Sequence, residues 1–277
     1  MQPAVKESQL RWRWERPISA LSILLNLSFM IAAIAIMAYG TEWLEIHPFL
    51  AKRIEEVRML AIAAIVAPPV IGLIRNARRG SVRGNSIQLS PDQFPEIYGI
   101  LVEQCEKLGI TEIPELYLSN TADESHAFSA WKRNYIVLST DNLGDFEESH
   151  DVIAFFLGRQ VGAIHLGHTT WWNELLLWYV LKMPWISLPV RKARAFSEDC
   201  YGAFLAPWGL RALLLLAAGR HMTPAVNLES YFEQMKQYGG LWDRVAAFGA
   251  DSSPVAKRVK ALHEAGILRW DSEAGVE

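Results

Sequence analysis

From Ile18 to Thr41 no charged residue interrupts a run dominated by Ile, Leu, Ala and Met. Twenty-four residues at about 1.5 Å each reach ~36 Å, enough to cross a hydrocarbon core of about 30 Å with some tilt. The run is longer than a signal-peptide core, so a retained membrane helix is expected. A second apolar stretch, Met59–Ile74, contains Pro68-Pro69. Proline removes a ladder donor and clashes with the preceding turn, which predicts a short, kinked span or a re-entrant piece. Joined through Glu42–Arg58, the two make a transmembrane hairpin over 18–75 behind an N-terminal segment 1–17. Lys6, Arg11, Arg13 and Arg16 precede it; Arg75, Arg78, Arg79 and Arg83 follow it; Lys52, Arg53 and Arg58 lie in the loop. That excess places both termini in the cytoplasm.

Beyond Gly84 the pattern changes. Ser90-Pro91-Asp92 reads as a helix start, and Phe94 to Leu108 carries apolar residues at helical spacing up to Gly109. Pro114–Leu118 alternates as a short strand, and Ala127–Ala130 with Asn134–Ser139 reads as a hairpin around Trp131-Lys132-Arg133. Helical patterning then dominates. The segment 171–190 is strongly apolar and carries Trp171, Trp172, Trp178 and Trp185. It is read either as a buried core helix or as a piece at the membrane interface, where amphipathic rings anchor. Residues 272–277 form a tail. The expected fold is α+β and mainly helical, with a cytoplasmic domain over 76–271 that contains a small antiparallel sheet.

Composition narrows the function classes. With 51% hydrophobic and 21% charged residues the chain is not disordered. A net charge of −3 gives no footprint for nucleic acid. Cys105 and Cys200 form no C-x-x-C pair, which argues against a disulfide framework and a thiolate zinc site.

Asp151–His168 reads DVIAFFLGRQVGAIHLGH. It resembles the zinc helix of the HtpX-like, CAAX-prenyl-protease-type membrane metallopeptidases, an apolar-Gly-His-Glu-Leu-Gly-His run followed by a Gly-His pair. Gly158, Gly162, Gly167 and His168 carry the match. Further pieces follow in the family's order: Arg83 to Pro95 resembles its lead-in, and His126-Ala127-Phe128-Ser129 its Asn-Ala-Phe-Ala strand. Asp199-x-Tyr-Gly-Ala203 is similar to the end of its Glu-x-x-x-Asp-x-x-Gly-Ala helix. Ser253-Pro254 with Lys257-Arg258-Val259 resembles its His-Pro-x-x-x-x-Arg-Ile element, one residue shorter. The resemblance implies a zincin-like metallopeptidase-type domain and a strand, His126–Ser129, at which peptide pairs.

The departures decide the chemistry. A zincin holds its metal with histidines at i and i+4 and a third ligand, and the glutamate after the first histidine is the general base. Those positions here are Arg159, Ala163, Ala195 and Gln160. Arginine offers no lone pair, alanine offers no donor, and glutamine is no base near neutral pH. No metal ligand and no cofactor are therefore expected. His165 and His168 share a helix face and read as surface or helix-end residues rather than a relocated zinc site. Arg159, Gln160, Glu198, Asp199, His165 and His168 are what remains of the site, and the Arg159 guanidinium is expected to stand where zinc would be, paired with Asp199 or Glu198.

The leading expectation is a catalytically inactive relative that binds the bilayer and a membrane-protein partner, as a regulatory or accessory subunit. One alternative is a zinc endopeptidase with a non-standard site. Another is a different chemistry built on Ser125-His126 or His150-Asp151; Cys200, beside Asp199, reads as a buried small residue.

Overall fold

The computed structural model describes residues 10–39, 54–120, 125–130, 133–140, 150–219, 221–250 and 252–267. Most of the Glu42–Arg58 loop, Trp131-Lys132 and the 272–277 tail lie outside the described residues.

Helix α1 (Glu15–Tyr39) carries the long apolar run, and helix α2 (Ile54–Asn85) packs along it. Among the described residues one helix is long and apolar enough to cross a membrane: α1, over Glu15–Met37, with only 17% of its apolar window buried. The second stretch departs from expectation, because α2 continues through Pro68-Pro69 to Asn85 without interruption. Each proline removes one donor, but the rest of the i→i−4 ladder holds the helix on both sides. The boundary expected at residue 75 thus falls inside α2, whose basic last turns cover one face of the sheet.

After α2 come β1 (Ile87–Leu89), α3 (Pro95–Lys107), β2 (Glu115–Ser119), β3 (His126–Ala130) and β4 (Arg133–Ser139). Helix α3 begins four residues later than Ser90-Pro91-Asp92 suggests. Ser90 and Gln93 exchange backbone hydrogen bonds of 2.9 and 3.0 Å in a turn, so the proline that opens the helix is Pro95. Phe94 adopts φ 60°, because the following proline closes the right-handed helical region to it.

The sheet order is β1-β2-β4-β3. The sheet is mixed, not antiparallel as expected: β2 pairs parallel to β4, while β1–β2 and β3–β4 are antiparallel. The chain leaves β2, forms β3 at the far edge, and turns back so that β4 fills the gap alongside β2. Alternation along β4 splits the core. Ile136 and Leu138 face the main cluster with Leu89, Leu101, Phe156 and Val161, whereas Tyr135 and Val137 join Tyr117 and Phe128 under Val82 of α2.

Among the described residues seven α-helices follow: α4 (His150–His165), α5 (Trp171–Lys182), α6 (Pro184–Leu205), α7 (Leu210–Ala218), α8 (Leu228–Gln237), α9 (Leu241–Gly249) and α10 (Val255–Glu264). The 171–190 segment is two helices, divided at Pro184 on the first turn of α6. Leu177, Val180 and Val190 are buried against Ile18, Ile23 and Leu25 of α1, and Asn26 donates to the Leu175 carbonyl at 3.4 Å. Trp171 and Trp172 remain exposed.

Candidate functional site: a charge ladder between two crossing helices

Helices α4 and α6 form the most extensive helix contact in the protein. Glycines make the crossing close. A Cβ at Gly162 would meet Tyr201 Cβ at 2.4 Å, and one at Gly202 would meet Arg159 Cγ at 2.7 Å. That approach brings the side chain of Arg159 onto α6.

Arg159 Nε lies 2.8 Å from Asp199 Oδ1, and its terminal nitrogen lies 3.9 Å from Glu198. The Nε contact is an ion pair without hydrogen-bond alignment, since that Nε is buried and has no aligned acceptor. Asp199 is fully buried and receives its two directed bonds from Arg258 of α10, through Nε and Nη2, both at 2.6 Å. Such a bidentate fork is the strong form of the Arg–carboxylate contact. The Arg258 contact extends the site to a third helix, and the only sequence signal for it is the Lys257-Arg258-Val259 element.

The other arm runs through His168. Helix α4 ends in a Schellman motif: Gly167 takes φ 74°, Gly167 N–H donates to Ile164 and His168 N–H donates to Ala163. This stop turns the chain inward and buries His168, which corrects the expectation of a surface or helix-end histidine. Its Nδ1 lies 3.0 Å from Glu198 and its Nε2 3.0 Å from Glu15, at the base of α1. Glu15 is 1% exposed and also bonds Arg11 at 2.6 Å and the Ser197 hydroxyl. Burial works against the charged ring, but the hydrogen bonds to Glu15 and Glu198 prevail and raise the His168 pKa above its ordinary value. With His168 protonated, charge alternates in sign from Arg11 through Glu15, His168, Glu198, Arg159 and Asp199 to Arg258. Burial lowers the pKa of neighbouring Arg194, which donates to Asn173 at 2.8 Å.

These residues do not fit zinc. Arg159, which the resemblance sets at the first ligand position, carries a positive charge that faces Asp199, and Asp199 is already held by Arg258. Ala163 is buried and Ala195 half-buried, and neither has a donor atom. The two carboxylates on His168 sit on opposite ring nitrogens and share no point with it. Among the described residues no group of three His, Cys, Asp or Glu side chains is placed to hold a metal. Gln160 points away from Asp199, its amide donating to the Ser125 carbonyl at 3.0 Å and tying α4 to the start of β3. The His165 ring lies 5.5 Å from Tyr201, and both line a cavity with Arg11.

The remaining candidates are scattered. Ser125 Oγ accepts from the Ser139 N–H at 3.0 Å, and His150 lies 3.0 Å from Glu96 at the surface. Burial pushes the Cys200 thiol up to about 12, so it carries no thiolate near neutral pH. His126, Ala127, Phe128 and Ser129 lie on β3, one of the two edge strands of the described sheet. The Ser129 carbonyl accepts from Arg75 Nε at 2.9 Å, and the same guanidinium donates to the Thr169 carbonyl at 2.6 Å and forms an ion pair with Glu174 at 2.7 Å. No family model, curated protein or solved structure matches the chain, and the metallopeptidase resemblance therefore rests on the motifs alone.

Proposed function

We propose that this chain is a membrane-embedded, catalytically silent relative of the HtpX-like metallopeptidases, which acts by binding a membrane-protein partner as a regulatory or accessory subunit. The observation that carries the reading is Arg159. At the first ligand position of the resemblance stands a guanidinium 2.8 Å from the aspartate that backs the metal ligands in the family. A cation that cannot polarise water has replaced one that can.

The membrane part of the proposal is the hairpin of α1 and α2, with the catalytic-type domain in the cytoplasm and the protein in the inner membrane of a bacterium. It is supported by the exposed apolar side chains Leu24, Ile31, Ile34, Ile65, Val70 and Leu73 on the two helices, which need a lipid-like environment. Exposed Trp171 and Trp172 suit the same boundary. For a peptide partner the acceptor is β3, whose outer edge is available for strand addition once Arg75 releases the Ser129 carbonyl.

A graft tests the family reading. The combined substitutions Arg159→His, Gln160→Glu, Ala163→His and Ala195→Glu should bring one equivalent of zinc to the purified protein, if the four positions converge as the motifs imply. A folded variant with no zinc would remove the metallopeptidase resemblance.

A further inference from the structure

We propose that helix α9 and the cavity beside it form a docking face for anionic phospholipid, separate from the membrane helices. The inference rests on the reading that α1 and α2 lie in a bilayer. None of the nine described residues of α9 is buried. Leu241, Trp242, Val245 and Phe248 are 72, 78, 55 and 67% exposed, and their spacing of i, i+1, i+4 and i+7 gathers them on one face. Such a short helix would not hold an apolar face to water by itself, and two devices fix it in place. Asp243 accepts from the Gly239 and Gly240 N–H groups at 2.9 Å each, capping its start. Lys192 of α6 donates to the carbonyls of Ala247 and Phe248 at 2.6 and 3.2 Å, capping its end. The helix is built to present that face.

The adjoining cavity, about 550 Å³, has apolar walls from Trp12, Leu188 and Phe196 and a rim with Arg244, Lys257 and Lys260. Of the two acids on the rim, Asp243 is committed to the helix cap, which leaves Glu264 against three cations. An apolar wedge beside a cationic rim matches lipid acyl chains beside phosphate. Position selects lipid over a soluble partner: Trp12 lies three residues before α1. It also lines a second cavity, about 480 Å³, that carries Arg11, Arg13 and Arg16. Both basic surfaces therefore sit at the entry of the apolar helix, where headgroups of the cytoplasmic leaflet gather.

The test uses the full chain in nanodiscs of phosphatidylcholine alone or mixed with phosphatidylglycerol. A Val245→Cys variant carries an environment-sensitive dye; Cys105 and Cys200 are buried. The dye should shift to the blue and be quenched by spin-labelled lipid severalfold more in phosphatidylglycerol discs, and the combined Lys257→Glu and Lys260→Glu substitutions should abolish that preference. A solvent-like dye at 245 in both discs, with an Ile31→Cys label quenched in both, would overturn the docking face and leave the membrane reading intact. If the Ile31 label is also unquenched, the membrane reading falls and the proposal with it. A blue shift that depends on protein concentration and not on lipid charge would assign the face to a second copy and refute the lipid.

Discussion

Replacing Arg159 by methionine keeps most of the aliphatic stem that packs on Gly202 and removes the charge. The loss is set by what Asp199 retains. Stripping a buried carboxylate of its only cation costs about 3–5 kcal/mol, but Asp199 keeps both directed bonds from Arg258. The expected cost of Arg159→Met is thus nearer that of one contact to a charged group, ~1.5–3 kcal/mol. Arg258→Met removes both directed bonds and should approach ~3–5 kcal/mol. At roughly 2–4 °C per kcal/mol for a chain of this order, the two variants should melt roughly 3–12 and 6–20 °C below the parent in detergent. A double-mutant cycle with Asp199→Asn separates pairing from packing. Arg159→Met should cost less in the Asp199→Asn background, by at least ~0.5 kcal/mol of coupling. Additive losses around the cycle, or an Arg159→Met midpoint equal to that of the parent, would refute the idea that this guanidinium holds α4 to α6.

Three further outcomes follow from the same geometry. His168 has a raised pKa in the folded protein, so its contribution is complete below the unfolded value of ~6.5 and fades as pH rises through the folded value; the parent should lose more melting temperature than His168→Gln on going from mildly acidic to alkaline buffer. Gly162→Ala puts a methyl 2.4 Å from Tyr201 Cβ and should destabilise by ~1–3 kcal/mol in thermal unfolding. Gln160→Glu sets a carboxylate against the Ser125 carbonyl, so it should lower stability and still yield no cleavage of an unfolded protein substrate in the presence of zinc.

One link of the ladder was legible in the sequence: the resemblance set Arg159 opposite Asp199 or Glu198. Arg159 and the Glu198-Asp199 pair meet because two glycine-bearing helices cross there. The Schellman stop at Gly167 was less legible. It requires a left-handed residue, and the Gly-His pair signalled it only as a motif, so the inward turn of His168 was missed. Glu15 gave no signal beyond lying just before the apolar run, since its partners are 153 and 182 residues away. The parallel β2–β4 pairing was equally hidden: local alternation defines a strand, and the order of strands depends on how the chain returns. Pro68-Pro69 misled because a propensity rule was applied to a helix whose ladder continues on both sides of the pair and which packs on α1.

On the proposed reading a network of charged side chains occupies the place of a catalytic metal. The most direct test is the zinc content of detergent-purified protein, measured by elemental mass spectrometry after dialysis without chelator. Zinc is expected far below one equivalent, unchanged on substituting His165 and His168 together. A full equivalent that disappears with that double substitution would contradict it and return the chain to the zinc endopeptidases.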